Sequence, residues 1–192
     1  MELDWNGPIQ HEGLCMIPCP PDGSCFFHCI LNAIYRPYLA SSPDERAVMV
    51  KTFRRELSDY LSKKDDSGAT IYDKLSRGQL KIMSKDIPEF SLEAMKSELL
   101  ENGPVDNLYN EFISDMINKD IYIVDLDARD IYITGSDVEL YYKGRDSIVI
   151  GYTEGHYNLI GIKKGSDVVT NFDCGHSFIS QIRRRYMELI SK

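Results

Sequence analysis

Cys25 stands in the run Asp22-Gly23-Ser24-Cys25-Phe26-Phe27-His28, where a short turn gives way to an apolar stretch of helical spacing. A thiol attacks as its thiolate, and an unassisted cysteine is scarcely ionised at neutral pH. A helix start improves matters, because its unpaired N–H groups and macrodipole favour negative charge. Gly23 lets the backbone turn sharply and aim N–H groups at a developing oxyanion. The same residues also suit a small cysteine buried in a core, and the local sequence does not separate these two readings. Zinc is a third possibility, with Cys15, Cys19, Cys25 and Cys29 as thiolates and His28 as a nitrogen donor. The cysteines are spaced C-x3-C, C-x5-C and C-x3-C rather than as C-x2-C pairs, and Cys29 falls towards the apolar side of the helix, so no metal is expected.

A cysteine nucleophile needs a base, and the base needs a group that fixes its tautomer and orientation. His11, beside Glu12 in an irregular segment, reads as a surface residue. His28 follows Cys25 on the same helix and reads as a packing or supporting residue; His176 lies in a turn before the last helix. His156 differs, because it opens a strand directly after a tight turn and is thus exposed yet rigidly held. Asn158 projects from the same face about 6.6 Å further along, near enough for its oxygen to accept an imidazole N–H. Tyr157 and Leu159 alternate to the opposite face and pack. Alone, His-x-Asn on a strand reads first as a structural histidine; beside Cys25 it becomes the natural base and orienter.

The elements that must position these residues follow from periodicity. Residues 1–21 read as irregular, with Pro18, Pro20 and Pro21 opposing helix or central strand. A helix is predicted from Cys25 to about Tyr35, with Ser24 as N-cap and Pro37 as its stop. A second runs from Pro43 to Ser62, with Asp44 and Glu45 at its positive end and a stripe of Val50, Phe53, Leu57, Tyr60 and Leu61. Further helices are expected over 71–84, 91–101 and 105–118. Strands follow at 121–124, 131–134, 147–152 and 156–162, rich in β-branched and aromatic residues. Thr153-Glu154-Gly155 reads as a three-residue hairpin loop, and 177–190 as a closing amphipathic helix. Helices first, then a mostly antiparallel sheet, define an α+β class.

The bulk properties narrow the partners. A length of 192 residues, 43% hydrophobic and 27% charged, suits one globular domain over 1–192. No apolar run approaches the roughly 20 residues of a membrane span, and the acidic N-terminus does not look like a signal peptide. Five cysteines, an odd number, therefore suggest reduced thiols and a cytoplasmic or host-cell cytosolic setting. A net charge of −8 argues against nucleic-acid binding. The short run Arg183-Arg184-Arg185 reads as the solvated face of the last helix.

Asp22-Gly23-Ser24-Cys25-Phe26-Phe27 resembles the cysteine box of the ovarian-tumour (OTU) domain deubiquitinases, and Gly155-His156-Tyr157-Asn158-Leu159 resembles their histidine box. The boxes occur in the family's order, and the likeness extends over about residues 15–165, with 166–192 as an added turn and helix. It implies a papain-like OTU fold, a small twisted and mostly antiparallel sheet flanked by helices. It further implies a monomeric cysteine protease that cuts the isopeptide bond after ubiquitin's terminal glycine and binds ubiquitin or polyubiquitin, without metal or cofactor. Cys25 would be the nucleophile, His156 the general base and Asn158 its orienting residue. Asp22 and Gly23 would belong to the loop whose backbone forms the oxyanion hole. Ubiquitin contacts would fall within 63–118, which shows no motif. A peptidase for another ubiquitin-like tail, or a silent ubiquitin-binding module, stand as alternatives; the intact Cys25, His156 and Asn158 set weighs against the second.

Overall fold

Along Ile121-Tyr122-Ile123-Val124 alternate side chains leave opposite faces of a strand, and the structure buries both faces. The chain is described by a computed structural model covering residues 2–3, 7–75, 85, 87–105, 109–132 and 143–191. Its strands are β1 (Leu14–Ile17), β2 (Asp120–Asp125), β3 (Asp130–Ile131), β4 (Ser147–Thr153), β5 (His156–Lys164) and β6 (Asp167–Val169). They form one sheet in the order β1-β5-β4-β2-β3, with β6 paired to β5. The β2–β4 pair is parallel and every other pair is antiparallel, so the fold is α+β with a mostly antiparallel sheet.

Helices cover the two faces unequally. On one side lie α1 (Cys25–Ile34), α2 (Arg36–Ala40), α3 (Pro43–Leu61), α4 (Ile71–Lys74), α5 (Leu92–Leu100) and α6 (Tyr109–Ile117). Their Phe27, Ile30, Leu57, Met95, Leu99 and Phe112 pack with Ile121, Ile123, Ile148, Ile150 and Leu159 from the sheet. Tyr122, Val124, Val149, Ile160 and Ile162 face the other way and meet α7 (Ser177–Ile190) through Phe178, Ile179, Ile182 and Tyr186. The C-terminal extension thus seals the back of the sheet.

Several local readings are corrected. Leu14–Ile17 is a strand paired with Leu159–Ile162, whereas 1–21 reads as irregular; its ladder is short, and the following prolines end it. Pro37 falls in the first turn of a separate helix, α2, where its missing N–H costs nothing. The β4–β5 loop has two residues, since Thr153 pairs directly with His156. Glu154 and Gly155 both have positive φ, 44° and 81°, as a type I′ turn requires. The helix over 71–84 is seen as α4 alone, since residues 76–84 lie outside the described residues, as do 106–108 and 133–134 of two other expected elements. β6 is an additional strand. The arginine run is not a solvated face: Arg183 donates to the Cys174 carbonyl, Arg185 pairs with Asp130, and only Arg184 is exposed.

Candidate active site

Pro20 and Pro21 deliver the chain from β1 to a turn centred on Gly23, whose φ of 82° lies in the region that favours glycine. A side chain there would also crowd the opposite wall, because a Cβ on Gly23 would stand 3.2 Å from Gly103 Cα. Asp22 shapes the turn. One carboxylate oxygen accepts the Ser24 N–H at 2.9 Å, and the other accepts from His28 Nε2 at 2.9 Å. With that nitrogen donating, His28 Nδ1 is left to accept the Tyr38 hydroxyl at 2.6 Å. Burial works against the Asp22 carboxylate, but the bonds from His28 and Ser24 outweigh it and hold its pKa below the ordinary value. Buried Tyr38, its pKa pushed up to about 12 chiefly by desolvation, keeps its proton. His28 therefore supports the turn rather than the chemistry.

Ser24 occupies the N-cap position of α1 without making the usual side-chain cap. Its hydroxyl instead donates to Asn102 Oδ1 at 3.0 Å and accepts from Arg54 at 2.9 Å. The first N–H groups of α1 thus keep their donors for another acceptor, and Cys25 is the first residue of the helix. Cys25 is 7% exposed. Burial pushes its thiol up from the ordinary value, while main-chain N–H groups of Tyr157 and Phe26 pull against that rise.

From the other side, the I′ turn presents His156 at the first position of β5. The turn is braced from the β2–β3 connection, where Asp127 accepts the Thr153 hydroxyl at 2.8 Å and the Glu154 N–H at 3.0 Å. Tyr157, on the opposite strand face, packs edge-on to Phe26 with ring centres 5.5 Å apart. A cavity of about 220 Å³ is lined by Gly23, Cys25, Pro104, Val105, Gly155 and His156, among others. The thiol and the imidazole therefore share one cleft, walled by the 104–105 segment.

The remaining two sequence candidates are placed differently. Asn158 is buried, and its Oδ1 accepts the Cys19 N–H at 3.1 Å; among the described residues no hydrogen bond joins it to His156. One of its lone pairs is thereby used and the other remains. Asp22 faces a second cavity of about 340 Å³ behind the turn, with Ser24, Arg54 and Asn102. Cys29 donates its thiol hydrogen to Cys19 with the sulfurs 3.4 Å apart, and both are free thiols. Among the described residues no group of three His, Cys, Asp or Glu side chains is arranged to hold a metal ion. Sequence reasoning passes over Asp127 and Arg54. Nothing in one dimension marks Asp127 beyond its place in a turn, and Arg54 looks like one charge among several on an amphipathic helix.

No protein-family model matches the sequence, and no curated protein does. Solved structures do. An OTU domain in complex with ubiquitin superposes with a TM-score of 0.57 at 20% identity, covering 93% of this chain and 85% of that one. The viral OTU domain protease from Taggert virus gives a TM-score of 0.51 at 17% identity, over 85% of this chain and 97% of that one. The chain has the OTU fold. Among the described residues no helix is long and apolar enough to cross a membrane.

Proposed function

We propose that this chain is a thiol-dependent deubiquitinase that hydrolyses the isopeptide bond following ubiquitin's C-terminal glycine. The observation that carries the reading is the shared cleft of Cys25 and His156, with the thiol on the first residue of α1 and Gly23 beside it. A folded OTU domain bound to ubiquitin supplies the substrate class by analogy of fold.

In the proposed reaction His156 takes the Cys25 proton and the sulfur attacks the glycyl carbonyl carbon. The tetrahedral oxyanion accepts main-chain N–H groups from the Asp22–Cys25 turn, held in place before the substrate arrives. His156 then protonates the departing lysine amine as the C–N bond breaks, leaving a thioester on Cys25. A water, deprotonated by His156, attacks that thioester and releases ubiquitin's carboxylate and the thiol. The free lone pair of Asn158 orients the imidazole once substrate closes the cleft, since catalytic hydrogen bonds are often loose without substrate. The chemistry requires neither metal nor cofactor. A peptidase for a different ubiquitin-like tail would use the same groups, because specificity lies in the surrounding surface.

The test is covalent capture. Ubiquitin carrying a C-terminal electrophile is expected to label the wild-type protein at Cys25, located by peptide mapping, and to leave Cys25→Ala unlabelled. Labelling of Cys25→Ala at the wild-type rate would overturn the assignment.

A further inference from the structure

Arg54 is a buried cation to which, among the described residues, no carboxylate is bonded. It is 3% exposed, and its guanidinium lies 4.3 Å from the centre of the Phe27 ring. Nε donates to the Leu99 carbonyl at 2.9 Å and Nη2 to the Glu98 carbonyl at 2.9 Å, both in the last turn of α5. Nη1 donates to the Gly103 carbonyl at 2.7 Å and to Ser24 Oγ at 2.9 Å. Removing a charge from water costs several kcal/mol, which here is offset by hydrogen bonds to Leu99, Glu98, Gly103 and Ser24 that tie separate segments together. The planar fork makes this possible: its donors diverge in fixed directions, which an ammonium cannot reproduce.

What it fixes is the relation between two walls of one cleft. Ser24 immediately precedes Cys25, and Asn102, which accepts from Ser24, precedes Gly103. Gly103 lies against Gly23, and the next two residues, Pro104 and Val105, line the cleft opposite Gly155 and His156. We infer that Arg54 is a positioning residue: it clamps the 102–105 segment to the start of the nucleophile helix. By doing so it sets the width of the groove in which the substrate's C-terminal tail must lie. The inference rests on the proposed deubiquitinase activity, and it goes beyond it by assigning a role to a residue that touches neither thiol nor imidazole.

The consequence separates tail binding from thiol chemistry. Arg54→Lys keeps the charge but not the fork, and Asn102→Ala removes the partner that ties Ser24 to the opposite wall while leaving the arginine in place. Both variants, checked for folding by circular dichroism and thermal melting, are treated with iodoacetamide and with the ubiquitin electrophile. Wild type must first react with the ubiquitin probe; if it does not, the deubiquitinase reading fails and not the clamp. Given that reaction, Cys25 alkylation by iodoacetamide is expected within about twofold of wild type in both variants. Labelling by the ubiquitin probe is expected to fall at least tenfold in Arg54→Lys and several-fold in Asn102→Ala, as a rise in half-saturating probe concentration, the limiting rate changing little. Wild-type probe kinetics in both folded variants would overturn the inference. So would an equal loss towards both reagents, which would mark a general structural role.

Discussion

Asn158→Ala separates two duties of a single side chain, the hold on Cys19 seen in the structure and the proposed orientation of His156. Its Oδ1 accepts the Cys19 N–H at 3.1 Å, in a place where Cys19 is 6% exposed. Truncation leaves that amide buried without a partner, which costs about 1–3 kcal/mol. Against a typical total of about 5–15 kcal/mol, a loss near 2 kcal/mol leaves on the order of one molecule in a hundred unfolded at worst. Any fall in turnover much beyond a few per cent is then chemical rather than a loss of folded protein. If Asn158 also orients His156, Asn158→Ala should lower turnover about tenfold or more, while ubiquitin binding to the inactive Cys25→Ala background changes little. Asn158→Asp keeps an acceptor for Cys19 and should recover most of the stability. The assays are urea denaturation, reading the midpoint at constant m, and hydrolysis of a fluorogenic ubiquitin substrate. An Asn158→Ala protein with wild-type midpoint and wild-type turnover would refute both duties. A shifted midpoint with full turnover would confine Asn158 to the loop, and Asp22, which faces the second cavity rather than the cleft that His156 lines, would not replace it.

Two further outcomes follow from local geometry. Gly161→Ala would place its Cβ 2.5 Å from Val168 Cγ1 and 3.1 Å from the Val169 carbonyl oxygen, forcing β6 away from β5. Overpacking of this kind costs about 1–3 kcal/mol, to be read as a lowered urea midpoint; an unchanged midpoint would mean that β6 shifts freely. For Cys25, burial raises the thiol pKa in the free protein, so reactivity should increase with pH rather than sit on an early plateau. Alkylation of Cys25 by iodoacetamide, followed by peptide mass spectrometry from about pH 6 to 10, should climb through the ordinary thiol range near 8.5 and beyond it. A plateau reached below neutrality would show a thiolate stabilised before substrate binds and would contradict this reading.

The legible parts of the chain were those whose signal is local. The helix beginning at Cys25 announces itself by a turn followed by apolar residues, and β2, β4 and β5 by β-branched runs; each appears where periodicity places it. The hairpin tip is one residue shorter than the sequence predicts, because a positive φ at Glu154 is not encoded by its side chain. Leu14–Ile17, four residues between a glycine and a proline, carries almost no period, and pairing with β5 is what makes it a strand. Arg54 illustrates a deeper limit. Besides the Ser24 hydroxyl its acceptors are carbonyls of residues 98, 99 and 103, and carbonyls belong to every residue, so no pattern of types can reveal those. Arg183 and Arg185 reverse a charge-run reading for the same reason: their partners, the Cys174 carbonyl and Asp130, come from elsewhere in the fold.

The polar groups around the cleft share a direction. Asn158 holds Cys19 and His28 holds Asp22, so two buried side chains grip the segment that leads into α1. Among the described residues no side chain bonds to the Cys25 sulfur itself, around which lie main-chain N–H groups. A module that merely bound ubiquitin would draw its affinity from an exposed surface and would gain little from fixing an inward turn so closely. A nucleophile gains a great deal, because an oxyanion site works only if its N–H groups are already in position when charge develops. A hydrogen-bonded turn beside a sulfur that no described side chain bonds is the arrangement that acyl transfer asks for. It weighs toward catalysis over silent binding more strongly than the presence of cysteine and histidine alone, since those two residues could survive in a cleft whose supports had been lost.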